Sequence, residues 1–137
     1  MSILSLQNNI SRSKKKITDL RTKLAKQQDI ASKATKEIIQ TKKSITKNTS
    51  ATILKTKLAR IGKAETAYQK ALKEISSINS KMITEEKDLV RLEERLLKEQ
   101  ERETKKLSSL LLARETQTNN QQSIIQDEIN KLKLCIF

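Results

Sequence analysis

The side chains that could carry chemistry are few in this sequence, which contains no His, one Cys and one Tyr. Without His the chain lacks the usual general base near neutral pH, the Ser–His and Cys–His nucleophile pairs and the common zinc ligands. Its paired carboxylates are Glu85-Glu86 and Glu93-Glu94, and its one phenol is Tyr68. Neighbouring residues of a helix point about 100° apart, so each carboxylate pair diverges. We therefore expect solvated ion pairs, no enzymatic activity, no cofactor and no metal site.

The remaining special residues point to a cytoplasmic protein. A single cysteine, Cys135, cannot form an intramolecular disulfide, and a single glycine, Gly62, cannot build a Gly-rich phosphate loop. The first residues lack the basic and apolar stretches of a signal peptide, and the longest apolar run, 110–113, is far shorter than the roughly 20 residues of a membrane span. We expect a cytoplasmic protein without a membrane span.

Any of these residues must be positioned by helices, because the composition is unsuited to sheets or to a compact core. Pro is absent, aromatic residues make up 1 % of the chain, the hydrophobic set 35 % and charged residues 33 %. Tight turns and strands need Gly, Pro, aromatic or β-branched runs, and a globular core needs more large apolar side chains. Long charged helices or a disordered chain remain, and periodicity decides between them.

A heptad pattern runs through the first third of the chain. Between Ile3 and Ile45, thirteen positions follow a 3–4 spacing and ten of them are apolar. The polar exceptions, Ser13, Gln27 and Thr41, weaken the stripe without ending it. A seam of this length, meaning the 3–4 spaced positions that face another helix, is typical of a coiled coil.

A polar stretch, Lys47-Asn48-Thr49-Ser50, separates this stripe from a second one. Ser50 is a suitable N-cap for the following helix, since its hydroxyl can accept a hydrogen bond from an exposed backbone N–H. The second stripe starts near Leu54, is strongest between Ile75 and Leu96, slips in register after Glu99 and thins before Ile125. We predict a basic first helix over 1–47, a turn over 48–50, a long second helix over 51–133 and a frayed terminus over 134–137.

The predicted fold is all-α, an elongated antiparallel coiled-coil hairpin with one shorter and one long helix. At 1.5 Å per residue the helices measure about 65 and 125 Å, so the first covers about half of the second. The uncovered stripe, from about Leu89 to Leu132, predicts a homo-oligomer, most simply a two-fold dimer. The predicted oligomer seam consists of Ile3, Leu6, Ile10, Ile17, Leu20, Leu24, Ile38, Ile45, Leu58, Ile61, Tyr68, Leu72, Ile75, Ile78, Met82, Leu89, Leu92 and Leu96.

The net charge of +13 is concentrated at the start of the chain, where residues 1–60 hold 15 Lys and Arg against 3 Asp and Glu. A basic helical face of this kind favours a second hypothesis, nucleic-acid binding, with phosphate contacts from Lys14, Lys15, Lys16, Lys42 and Lys43. The alternative to nucleic-acid binding is that the basic face is only solvated or that it meets an acidic partner. A third is an amphipathic segment on an anionic membrane, although the apolar face lacks Trp or Phe anchors.

The segment around the turn, residues 38–61, resembles the coiled-coil region that lies N-terminal to the TIR domain in bacterial TIR-domain proteins. The likeness rests on Ser44-Ile45, Lys47, Thr49-Ser50 and the run from Leu54 to Leu58. In such proteins the coil brings together TIR domains that cleave NAD, so the resemblance implies a scaffold role and a TIR-domain protein as a partner.

This chain departs from the resembled family in two ways. Ile53 stands where a hydroxyl residue is expected, and Ala51 where a proline would suit the first helical position. The sequence also contains no TIR domain, so no catalytic glutamate and no NAD pocket are carried over. We expect either a fragment of a longer relative or a stand-alone partner of a separate TIR-domain protein.

Overall fold

Two helices make up the protein in a computed structural model that describes residues 2–136, except for the side chain of Ile136. Helix α1 spans Ile3–Lys43 and helix α2 spans Ala51–Ile136, and the part of the chain described contains no strand. The helices pack against each other over the whole of α1. The predicted fold, an all-α helical hairpin with helices of unequal length, is confirmed.

Helix α1 is capped at both ends. Ser2 is extended (φ −72°, ψ 158°), and its hydroxyl accepts a hydrogen bond from the backbone N–H of Ser5 at 3.1 Å. At the other end the backbone N–H of Ser44 still donates to Gln40, and Lys42 and Lys43 lie in the last turn, where cations are favourable. The helix therefore ends at Lys43, four residues before the predicted boundary at 47.

The turn occupies 44–50 and not only the predicted 48–50. The Ser44 hydroxyl donates to the carbonyl of Thr41 at 2.7 Å, and the Thr49 hydroxyl accepts from the Thr46 N–H at 2.9 Å. Such local side-chain bonds give the backbone an alternative to the helical ladder, which explains the early end of α1. Helix α2 begins at Ala51, and the Ser50 hydroxyl accepts from the N–H of Ile53 at 3.3 Å, which makes Ser50 its N-cap.

The second helix continues to Ile136, beyond the predicted boundary at 133. Residues 134–136, expected to be frayed, are helical, and Phe137 lies outside the described residues. Asn and Ser residues at 76–80 and the glycine at 62 do not interrupt α2. Helix formers and charge pairs at i,i+3 such as Arg102–Glu99, 3.1 Å apart, support the helix locally along its length.

The antiparallel pairing covers α2 only up to Glu99. Cross-helix contacts join Ser13 to Glu85 and Glu37 to Arg60, so positions on the two helices pair at a nearly constant sum of residue numbers. Every residue from Glu101 to Cys135 is exposed. The uncovered part of α2 therefore starts at about 100 and not near Leu89, because Leu89, Leu92 and Leu96 are half-buried beside the N-terminal part of α1.

Candidate functional site

The predicted oligomer seam is used mainly inside one chain, where it packs α1 against α2. All seven predicted seam positions of α1 and Ile45 in the turn are buried or half-buried, and Leu6 is only 1 % exposed. On α2, Ile61 and Ile78 are buried, while six further positions are half-buried: Tyr68, Ile75, Met82, Leu89, Leu92 and Leu96. These side chains form the core of the hairpin.

Two predicted seam residues of α2 lie outside this core. Leu58 is 54 % exposed and Leu72 is 38 % exposed, so neither packs against α1. The seam instead passes through Lys57, Ala64 and Ala71, of which the two alanines are buried. The correct seam positions could have been found in the sequence, because an unbroken 3–4 spacing runs from Leu54 to Glu99. Leu58 and Leu72 each lie one residue after a position of this spacing and were chosen because they are large and apolar.

One of the polar layers in the seam joins Ser13 to Glu85. Ser13 is 5 % exposed, and its hydroxyl lies 3.3 Å from Oε2 of Glu85 on the facing helix. Lys16 approaches the other carboxylate oxygen of Glu85 at 3.8 Å. The neighbouring groove is open to solvent and is lined by Asp19, Leu20, Lys23, Ser80, Lys81 and Thr84. A polar layer between apolar ones fixes the register of two helices, since any slip would bury the carboxylate without a partner.

The five predicted phosphate contacts do not form one patch. Lys14, Lys15 and Lys16 lie near the start of α1, whereas Lys42 and Lys43 lie in its last turn. The two groups are separated by about 40 Å along the helix. Lys16 is already paired with Glu85.

The end of the hairpin at the turn is strongly basic. Residues 38–64, which we name the basic tip, contain seven Lys and Arg and no Asp or Glu. Six of the seven side chains are exposed. The seventh, Lys57, is half-buried, and its ammonium group donates to the carbonyl oxygen of Ser44 at 2.7 Å, which caps the C-terminus of α1.

The second distinctive surface is residues 100–136 of α2, which we name the uncovered helix. Nine large apolar side chains on it are between 40 % and 80 % exposed: Leu107, Leu110, Leu111, Leu112, Ile124, Ile125, Ile129, Leu132 and Leu134. No other segment of residues 2–136 packs against it. A set of this size on one helix makes residues 100–136 a candidate interaction surface.

The carboxylates and the phenol that were considered as candidate catalytic groups do not converge on one site. Glu85 is half-buried in the seam, Glu86, Glu93 and Glu94 are exposed, and Tyr68 is a half-buried seam residue. Within the described residues no three His, Cys, Asp or Glu side chains are grouped to hold a metal ion. Over the same residues, neither helix has a stretch apolar and long enough to cross a membrane.

Comparison with protein-family models, with curated proteins and with solved structures finds no match to this chain.

Proposed function

We propose that this protein is a non-catalytic coiled-coil scaffold, which joins copies of itself through the uncovered helix and extends each hairpin as an arm. One observation carries the proposal: residues 100–136 are helical, yet their large apolar side chains are at least 40 % exposed. A lone amphipathic helix is only marginally stable in water, and covering its apolar stripe with a second helix stabilises both.

The experiment is light scattering after gel filtration on the full chain, at concentrations from one to one hundred micromolar. We expect the mass to rise towards a dimer or larger assembly as the concentration increases, with an elongated shape. Replacing Leu111 and Ile125 together by Asp should keep the chain monomeric, since a charge in the covered stripe would be desolvated without a partner.

A matched control separates the apolar stripe from the added charge. Ser109 and Ser123 lie on the opposite side of the same helix, so Ser109→Asp with Ser123→Asp adds the same charge outside the stripe. This control should assemble like the unmodified protein. A monomer at every concentration for the unmodified chain would refute the proposal, and equal masses for the two double variants would refute the assigned surface.

The resemblance of residues 38–61 to the coil of TIR-domain proteins supports a scaffold role and adds a candidate partner, a separate TIR-domain protein. In this extension the basic tip, which contains the resembling segment, is the end that meets the partner. Mixing the purified chain with a TIR-domain protein from the same genome should give a joint gel-filtration peak. The extension fails if that peak does not form or survives replacement of Lys42, Lys43 and Lys47 by Gln.

A second candidate function is binding to the phosphate backbone of nucleic acid, favoured by the seven cations of the basic tip and the absence of acidic residues from it. Such binding releases counterions and therefore weakens steeply with salt. One cation is ion-paired in each group, Lys16 with Glu85 and Arg60 with Glu37. Because the tip holds more cations, it is expected to contribute more than Lys14, Lys15 and Lys16.

Fluorescence anisotropy with a short DNA duplex at 50 and 200 mM salt tests this candidate. Gln at Lys42, Lys43 and Lys47 should lower the affinity more than Gln at Lys14, Lys15 and Lys16. Absence of binding at 50 mM salt would remove the candidate, and equal losses in the two triple variants would remove the tip as its site.

A further inference from the structure

Four residues of the apolar stripe of the uncovered helix are arranged symmetrically about Thr118, whereas Leu110 and Leu132 have polar mirror positions. Leu107 and Ile129 lie equally far from Thr118 along the sequence, on opposite sides of it. The same is true of Leu111 and Ile125. Leu107 and Ile125 are separated by 18 residues, which is five full helical turns, so both ends of the stripe lie on the same side of α2. A helix with this symmetry can cover a second, antiparallel copy of itself with leucine facing isoleucine.

The position of α1 favours that orientation over a parallel one. At 100° per residue, the stripe of the uncovered helix lies within about 50° around α2 of the face that Leu89, Leu92 and Leu96 turn to α1. Two helices about 10 Å from one axis need roughly 60° between them to avoid overlap, given their diameter. A parallel second copy would therefore continue into the space that α1 occupies beside residues 51–99.

Residues 100–136 of an antiparallel copy avoid this overlap. Centred on Thr118, this segment runs level with residues 100–136 of the first copy, with its Leu132 beside Thr104. The hairpin's α1 reaches only the neighbourhood of Glu99, where Leu6 borders a groove with Arg95 and Arg102. The second copy thus covers the part of α2 that α1 leaves exposed. The hairpin of the second copy lies beyond the C-terminal end of the first copy's α2.

Both the charged residues beside the stripe and the net charge of the hairpins favour the antiparallel arrangement. Beside the stripe, the antiparallel register brings Glu101 near Lys133 of the second copy and Lys106 near Glu128, whereas a parallel pair in register keeps only the contact between Glu128 and Lys133. Over the whole chain, residues 1–84 hold 19 Lys and Arg against 5 Asp and Glu. Placing two such hairpins side by side would oppose like charges within about a Debye length.

We infer that two copies of this chain pair antiparallel about Thr118, which forms a rod about 200 Å long with a basic tip at each end. The inference rests on the proposed self-association and specifies its geometry. Its biological consequence is a bridge: the two tips point in opposite directions, so they engage partners at separate positions and cannot act side by side.

Disulfide trapping in the full chain tests the orientation, with Cys135→Ser as the background. Leu107→Cys and Ile129→Cys are prepared separately, mixed under reducing conditions and then oxidised. The antiparallel rod predicts disulfides between the two variants, because their sulfurs are level on facing helices, and little disulfide in either variant alone. The matched control, Ala113→Cys mixed with Ser123→Cys, has the same mirror relation on the outer side and should not cross-link.

Each outcome distinguishes the two proposals. Disulfides within each variant alone would show a parallel pair, which overturns the inference and leaves the scaffold proposal standing. A dimer by light scattering that forms neither disulfide overturns the register about Thr118. A chain that remains monomeric by light scattering refutes the proposed self-association, and the antiparallel pairing with it. Cross-linking of the control pair as strongly as the stripe pair would also overturn the inference.

Discussion

The two parts of α2 are built from the same kinds of residue but have opposite surroundings. Residues 51–99 present an apolar or small residue to α1 at nearly every seam position, and Ile61, Ala71 and Ile78 are buried. Residues 100–136 present a stripe that Arg114, Thr118 and Gln122 interrupt, and their apolar side chains remain exposed. Both parts are helical, so helix formation alone does not distinguish them.

The difference shows which property of a sequence decides burial in a coiled coil. Helix propensity and charge pairs at i,i+3 and i,i+4 are local and operate in both parts of α2. Burial requires a second helix of matching length, and α1 is 41 residues long while α2 has 86. The uncovered helix therefore keeps its shape in this chain while its stripe remains available to another copy.

Hydrogen exchange should show the largest contrast between these two parts. In a dilute sample, we expect backbone amides of residues 54–96 to exchange more slowly than those of 104–132 by a factor of about a thousand or more, since opening the paired part requires unfolding the hairpin. Mass spectrometry of peptic peptides measures both parts at once. Equal protection in a monomeric sample would contradict the comparison, and protection of 104–132 that grows with concentration would support self-association.

The same substitution placed in each part should have unequal effects on stability. Leu6→Ala removes a side chain that is 1 % exposed in the hairpin, and we expect it to cost about 2–4 kcal/mol of the free energy of unfolding. Leu112→Ala removes a side chain that is 63 % exposed on the uncovered helix, and the change should remain within about 0.5 kcal/mol. Urea unfolding followed by circular dichroism gives both values. Comparable losses would mean that the two parts are packed alike.

The polar layer offers a way to strengthen the paired part. Replacing Ser13 by Ala and Glu85 by Leu makes the layer apolar, and we expect a gain of about 1–2 kcal/mol in the free energy of unfolding. The matched control changes the exposed neighbours, Ser11→Ala with Glu86→Leu, and should have less than half that effect. A stabilised variant that also forms misregistered species on native gels would show that the layer sets register. A loss of stability would show that the layer contributes more than an apolar one.

Much of the fold could be predicted from the sequence because its signals are periodic. The 3–4 spacing of Ile3, Leu6, Ile10 and their successors locates the buried face of α1, and the hydroxyl at Ser50 locates the start of α2. The end of α1 was misplaced because it depends on hydrogen bonds such as that from the Ser44 hydroxyl to Thr41, which compete with the helix over short distances. Pattern alone does not rank such competitors.

The candidate surfaces were harder to predict than the fold. Leu58 and Leu72 were assigned to the seam because leucine is large and apolar, whereas Ala64 and Ala71 occupy it. Small residues give a weak apolar signal, although they let two helices approach closely. The limit of the uncovered helix depends on where α1 ends against α2, which requires the length of the turn as well as the periodicity.

The smallest expected effect concerns Gly62, which lies within the paired part of α2. A Cβ atom built on this residue would meet no heavy atom within 4 Å, so Gly62→Ala adds no steric conflict. Alanine restricts the unfolded chain and suits a helix interior better than glycine, by about 1 kcal/mol. Because α2 is continuous through residue 62, we expect the gain to appear in the unfolding of the hairpin and to leave exchange in residues 104–132 unchanged. Greater protection in both parts would show that the two parts of α2 unfold as one unit. The boundary at Glu99 would then divide a covered surface from an exposed one without dividing regions of different stability.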